Sequence, residues 1–138
     1  MANKFHAISE ELMPKRATKF SAGYDFFSPC DFVVPAHGQS IMIDSGVSVE
    51  LDSDKVLFCD VRSSYGFKHN IRLINTIGIV DCDYFPNNIK CILYNDSDKD
   101  FFVSKGDRYM QGIILQYFKV DDDSQDAIRD GGIGSTGI

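Results

Sequence analysis

Apolar residues fall in short runs, interrupted every few positions by Asp, Asn, Ser or Gly. The runs at 32–34, 40–51, 56–61, 89–94, 101–103 and 110–120 each have the length of a strand. Several alternate. Ile41 and Ile43 are out of phase with Met42 and Asp44, and Val47, Val49 and Leu51 with Ser48 and Glu50. A period of two is that of half-buried strands. No stretch sustains a helical period, and residues 63–69 have room for one or two helical turns. Many short strands at close spacing predict an all-β sandwich, jelly roll or closed barrel.

The pattern breaks after residue 120. Asp121-Asp122-Asp123-Ser124-Gln125-Asp126 is a charged interruption, and four of the eleven glycines then fall within the last eight residues. Such a segment buries too little apolar surface to order itself. The division expected is therefore one β domain over 1–120 and a glycine-rich arm over 121–138. A frayed terminus would have a similar composition. The run Arg129-x-Gly-Gly-x-Gly-Ser-Thr-Gly points instead to an anion, because consecutive glycines let backbone N–H groups converge and adjacent hydroxyls add donors. It is not a Walker A loop, since it lacks Gly-Lys-Ser/Thr and a following helix.

Composition narrows the function. With 138 residues the chain has the length of one domain, and a formal charge of −6 argues against a general nucleic-acid binder. The four cysteines at 30, 59, 82 and 91 have neither metal nor redox spacing, and no secretory signal pattern precedes them. Free thiols in the reducing cytoplasm are expected. The three histidines form no zinc pair, and no apolar run reaches the length of a membrane span.

Four further segments carry candidate chemistry. Ala22-Gly23-Tyr24-Asp25-Phe26 sets a carboxylate after a glycine-aromatic turn, and Arg62-Ser63-Ser64-Tyr65-Gly66-Phe67-Lys68 offers cations and hydroxyls at a strand end. Asn75-Thr76-Ile77-Gly78-Ile79-Val80-Asp81-Cys82-Asp83-Tyr84 holds two carboxylates and a tyrosine, and Gly106-Asp107-Arg108-Tyr109-Met110-Gln111 leads into a strand. Each has a plain structural reading: a helix cap for Arg-Ser-Ser, a solvated turn for Asp81 and Asp83, a surface turn for Gly-Asp-Arg.

Taken together, in this order and spacing, they closely resemble the five motifs of the homotrimeric dUTPases, over about residues 13–138. The resemblance implies a distorted jelly-roll β-barrel subunit, a homotrimer with three shared active sites, and a mobile C-terminal arm. In such sites the first, second and fourth motifs come from one subunit, the third from its neighbour and the arm from the remaining one. The implied reaction is Mg²⁺-assisted hydrolysis of dUTP to dUMP and pyrophosphate by water attack on the α-phosphorus. It would limit uracil in DNA and supply dUMP for thymidylate synthesis. Asp81 matches the aspartate that activates the water, and Tyr84 the ring under the deoxyribose. Asn75 and the backbone at Val80 and Lys90 match the hairpin that reads uracil. Arg62, Ser63 and Ser64 match the grip on the phosphate chain, and Gln111 the contact to the α-phosphate. From the arm, Arg129, Gly134, Ser135 and Thr136 match residues that close on the outer phosphates. The Mg²⁺ would be held by the triphosphate and water.

The sequence departs from the family pattern in three places. Ile133 stands where a phenylalanine usually stacks on uracil, with Tyr65, Phe67 and Phe85 as the other candidate rings to cap the base. Phe85-Pro86-Asn87-Asn88 replaces a shorter Arg-Gly-Glu turn, and Val61 and Ser64 replace a frequent Pro and Gly. The dCTP deaminases share the fold but are not expected to end in such an arm. A nucleotide-sensing regulator with a protein partner is an alternative of another class.

Overall fold

A computed structural model describes residues 3–129 together with 132 and 133. Twelve strands, one short α-helix and two 3₁₀ turns (Glu10–Leu12 and Cys82–Tyr84) lie among the described residues. The first six strands are β1 (Lys4–Ala7), β2 (Tyr24–Phe27), β3 (Phe32–Val34), β4 (Ile43–Asp44), β5 (Val47–Glu50) and β6 (Lys55–Val61). The helix α1 (Ser63–His69) follows, then β7 (Ile71–Leu73), β8 (Gly78–Val80) and β9 (Lys90–Cys91). The last are β10 (Leu93–Asn95), β11 (Phe101–Val103) and β12 (Arg108–Gln116). The fold is all-β, as the alternation predicts.

Pairing is antiparallel throughout. The largest sheet runs β2-β12-β6-β8, and four two-stranded sheets pair β1 with β5, β10 with β7, β11 with β3 and β4 with β9. β12 is the spine: Gln111 lies opposite Asp60 on one side and Asp25 on the other. Phe26, Val34, Leu57, Leu73, Leu93, Tyr109 and Met110 form the heart of a core that the small sheets wrap. Burial of such side chains contributes about 1.5–3 kcal/mol each, so the larger sheet is anchored chiefly through its inner face.

Three of the expected strands are interrupted. The run at 40–51 splits into β4 and β5 because Gly46 takes φ +71, a left-handed turn favouring glycine. Ile41, expected on the inner face with Ile43, is 67% exposed, whereas Ile43 is buried. The Ser40 hydroxyl is the reason. It donates to the Ile41 carbonyl at 2.7 Å and accepts the Leu93 N–H at 3.0 Å, which takes the chain out of the strand there. The run at 89–94 divides into β9 and β10, and β12 stops at Gln116, leaving Phe118 and Val120 exposed. The helical turns appear as α1, closed by Asn70 in the left-handed region (φ 56) with its N–H on the Gly66 carbonyl.

Candidate active site

The turn between β7 and β8 is held by its own polar groups. Asn75 Nδ2 donates to the Ile77 carbonyl at 3.1 Å, and Thr76 takes φ 71 with its N–H on Leu73. After β8 the chain enters a 3₁₀ turn, Cys82–Tyr84, which Asp81 precedes in extended conformation. Tyr84 is fixed from both ends: its hydroxyl donates to the Asn88 carbonyl at 3.1 Å, and its own carbonyl accepts from Asn87 Nδ2 at 2.9 Å. The Phe85-Pro86-Asn87-Asn88 turn therefore braces the tyrosine, which is the local reason that its Pro-Asn-Asn chemistry suits this place.

These elements enclose a cavity of about 440 Å³. Asn75, Val80, Asp81, Tyr84 and Lys90 all line it, over a floor that includes Cys59, Leu73 and Met110. Burial pushes the Cys59 and Cys91 thiols up to about 12, so neither is a nucleophile here. Arg129 and Ile133 of the arm line the same cavity. Ile133 is 73% exposed, an apolar cover at the mouth and not a buried plug. Of the three other aromatic candidates, Tyr65 is buried against Phe101, Phe85 packs on His6, and Phe67 is 90% exposed. None of them lines the cavity, whose aromatic side is Tyr84.

Arg129 lies across the carboxylates. Its Nε donates to Asp83 Oδ1 at 2.8 Å and its Nη2 to Asp81 Oδ2 at 2.6 Å. The hydrogen bond it donates to Asp83, with the charges of both carboxylates behind it, pushes the guanidinium further above its ordinary range. The sequence reading places Arg129 on phosphates; here it rests on two aspartates. Gly134, Ser135 and Thr136 lie outside the described residues.

The remaining candidates sit elsewhere. Arg62, Ser63 and Ser64 begin α1 at the end of β6, and none of them lines the cavity. Gln111 is beside them on β12, its Nε2 donating to the Val61 carbonyl at 3.4 Å. Alternation along β12 explains the separation. Met110 faces the cavity, so Gln111 one residue on must face the opposite side of the sheet.

Gly23 and Asp25, of the glycine-aromatic segment, both support Gln111, and Asp25 has a structural rather than a catalytic place. A Cβ at Gly23 would stand 2.5 Å from Gln111 Oε1, so this glycine leaves the space in which the glutamine amide lies. Asp25, opposite Gln111, is 13% exposed and pairs with Arg108 at 3.6 Å, holding the strand edge beside that amide. Only the register of β2 on β12 brings these groups together.

The dUTPase family model matches residues 10–137. The chain belongs to the dUTPase family. Among dUTPases, the deoxyuridine 5'-triphosphate nucleotidohydrolase of Arabidopsis thaliana is 37% identical, over 98% of this chain and 82% of that protein. The enzyme of the same name from Lactococcus lactis is 33% identical, over 91% of this chain and 87% of that protein. The crystal structure of the Streptococcus mutans dUTPase superposes with a TM-score of 0.77 at 29% identity, covering 85% of this chain and 98% of that one. The all-β architecture is thus that of dUTPases.

Proposed function

We propose that this dUTPase hydrolyses dUTP to dUMP and pyrophosphate at a site assembled from more than one copy of the chain. The observation that carries the reading is Asp81, half exposed beside Tyr84 at a cavity of nucleoside size, in a chain matching dUTPases along 10–137. Uracil would enter between Asn75 and the backbone of Val80 and Lys90. Donors and acceptors fixed along that hairpin would reject bases with the wrong edge, because its own polar groups would be left unpaired. Tyr84, braced by Asn87 and Asn88, would carry the deoxyribose and leave little room for a 2′-hydroxyl.

Asp81 would hold the attacking water and accept its proton as the water oxygen bonds to the α-phosphorus. The bond from that phosphorus to the bridging oxygen breaks, and pyrophosphate leaves. Arg62, Ser63, Ser64 and Gln111 would grip the phosphates and orient the α-phosphorus, with their hydrogen bonds strongest as charge builds on its oxygens. Among the described residues no three His, Cys, Asp or Glu side chains gather as a metal cage. The Mg²⁺ is therefore proposed as an ion carried by the triphosphate, where it would neutralise charge on the leaving group.

Met110 and Gln111 face opposite sides of one strand, so this chain's cavity needs its glutamine from another copy. That supports a homotrimer of shared sites, with residues 1–120 as the β domain and 121–138 as the arm. Among the described residues no helix is long and apolar enough to cross a membrane, and a cytoplasmic location is proposed. Pyrophosphate release should be measured with dUTP, dCTP, dTTP and UTP in the presence of Mg²⁺. Release from dUTP alone is expected; release from none of them overturns the reading.

A further inference from the structure

The turn Phe85-Pro86-Asn87-Asn88, which stands in place of a shorter one, is held at both of its ends. The far end is tied by backbone to the β4–β5 region. Ile89 donates its N–H to the Val47 carbonyl at 2.8 Å, and its own carbonyl accepts the Ser45 N–H at 3.0 Å. The near end meets the N-terminal strand β1. The His6 ring lies 5.3 Å from the Phe85 ring, tilted by 42°. His6 Nε2 donates to Glu50 Oε1 at 3.0 Å, which orients the imidazole. Alternation along β1 makes His6 available for this contact. Phe5 packs on Tyr24 at 5.2 Å and on Phe26 at 5.7 Å and so docks the strand, while His6, one residue on, is exposed and meets the turn.

Phe85 directly follows Tyr84, whose hydroxyl and carbonyl are held by Asn88 and Asn87 of the same turn. A longer turn has more conformational freedom to lose on ordering, and the contact of Phe85 with His6 removes part of it. We propose that His6 is a positioning residue for the nucleoside: its ring holds Phe85, and through it the turn that sets Tyr84 at the cavity wall. The N-terminal strand then contributes to the choice of deoxyribose over ribose. That choice rests on the dUTP reading; the coupling of β1 to the turn does not. Phe85 is 37% exposed, so water shares the contact. Loss of one aromatic contact shifts an equilibrium by roughly two- to tenfold. The effect therefore falls on binding and selectivity and leaves the chemistry at Asp81 in place.

Amide hydrogen exchange over residues 84–90 is followed by mass spectrometry in full-length wild type, His6→Ala and His6→Phe. For the same proteins kcat and KM are measured with dUTP and UTP in the presence of Mg²⁺. His6→Ala should exchange roughly two- to tenfold faster over that stretch, with Phe5 keeping β1 docked. Its KM for dUTP should rise by a similar factor with kcat kept, and its preference for dUTP over UTP in kcat/KM should fall. His6→Phe keeps a ring against Phe85 and should restore both readouts. Unchanged exchange in His6→Ala, or faster exchange spread over the whole chain, overturns the coupling. Faster exchange confined to the turn with unchanged KM and selectivity overturns the part played in nucleoside choice. A His6→Phe variant that behaves as His6→Ala does overturns the ring contact as its cause. If wild type releases no pyrophosphate from dUTP, the substrate reading fails and hydrogen exchange alone decides the coupling.

Discussion

The two halves of the site are built in different ways on the same chain. The half proposed for the nucleoside is enclosed: a turn locked by Asn75, a tyrosine tied at both ends and a floor of buried side chains surround one cavity. The half proposed for the phosphates is open. Ser63 is exposed at the start of α1, and Gln111 lies on the sheet face turned away from that cavity. Under the proposed reading the enclosed half would discriminate among flat bases, which needs fixed donors and excluded water. The open half would meet a flexible polyanion, for which donors on a sheet face suffice once another surface closes over them. A chain that holds every group and joins only half of them is suited to work as an oligomer.

Changes on the two halves should differ in kind, and the largest effect belongs to Asp81. Asp81→Asn should keep nucleotide binding and lower kcat by about 10²–10⁴-fold, the range for loss of a general base; full activity would remove Asp81 from the mechanism. On the open half, Gly23→Ala should push the Gln111 amide from its place. No left-handed φ is required at position 23, so the fold should persist while kcat falls by about tenfold, as misplacement of an orienting group predicts. Equal kcat and Tm in that variant would show that Gln111 adapts.

A smaller effect is expected at the mouth of the enclosed half. Ile133→Phe supplies a flat ring where Ile133 gives apolar cover, and base stacking contributes about 1–3 kcal/mol in other nucleic-acid sites. Binding of a non-hydrolysable dUTP analogue should tighten by at least about fivefold; unchanged affinity would mean that isoleucine covers the base equally well. The floor should show itself in alkali. Burial raises the Cys59 and Cys91 thiols from 9.0 to about 12 in the folded chain. Above pH 9 the unfolded chain releases these protons while the folded one keeps them. Stability from these thiols is thus complete below pH 9 and is lost between pH 9 and 12. Thermal unfolding across that range checks the sign, and a flat profile would contradict the burial of the two thiols.

The enclosed half was largely legible in the sequence because its groups are contiguous. Asp81 leads directly into the 3₁₀ turn Cys82–Tyr84, and a short linear motif survives folding with its spacing intact. The open half was less so. Gly23 and Gln111 are far apart along the chain and meet through strand register, which a period of two does not reveal. The same blindness made 40–51 read as one strand. Alternation registers Ile43, Val47 and Val49, but neither the left-handed φ at Gly46 nor the Ser40 hydroxyl that turns Ile41 outward. Arg129 was legible as a cation for anions. Its contact with Asp81 and Asp83 was not, since that depends on a tertiary placement that no linear motif fixes.

Subunit complementation tests the shared site most directly. Asp81→Asn and Gln111→Ala, each nearly inactive alone, are co-expressed so that their chains assemble together, and pyrophosphate release from dUTP is measured. Mixed oligomers should recover activity, because a wild-type Asp81 from one chain can meet a wild-type Gln111 from another in roughly one site in four by random assortment. Activity no greater than that of the two parents would contradict a site built from two chains.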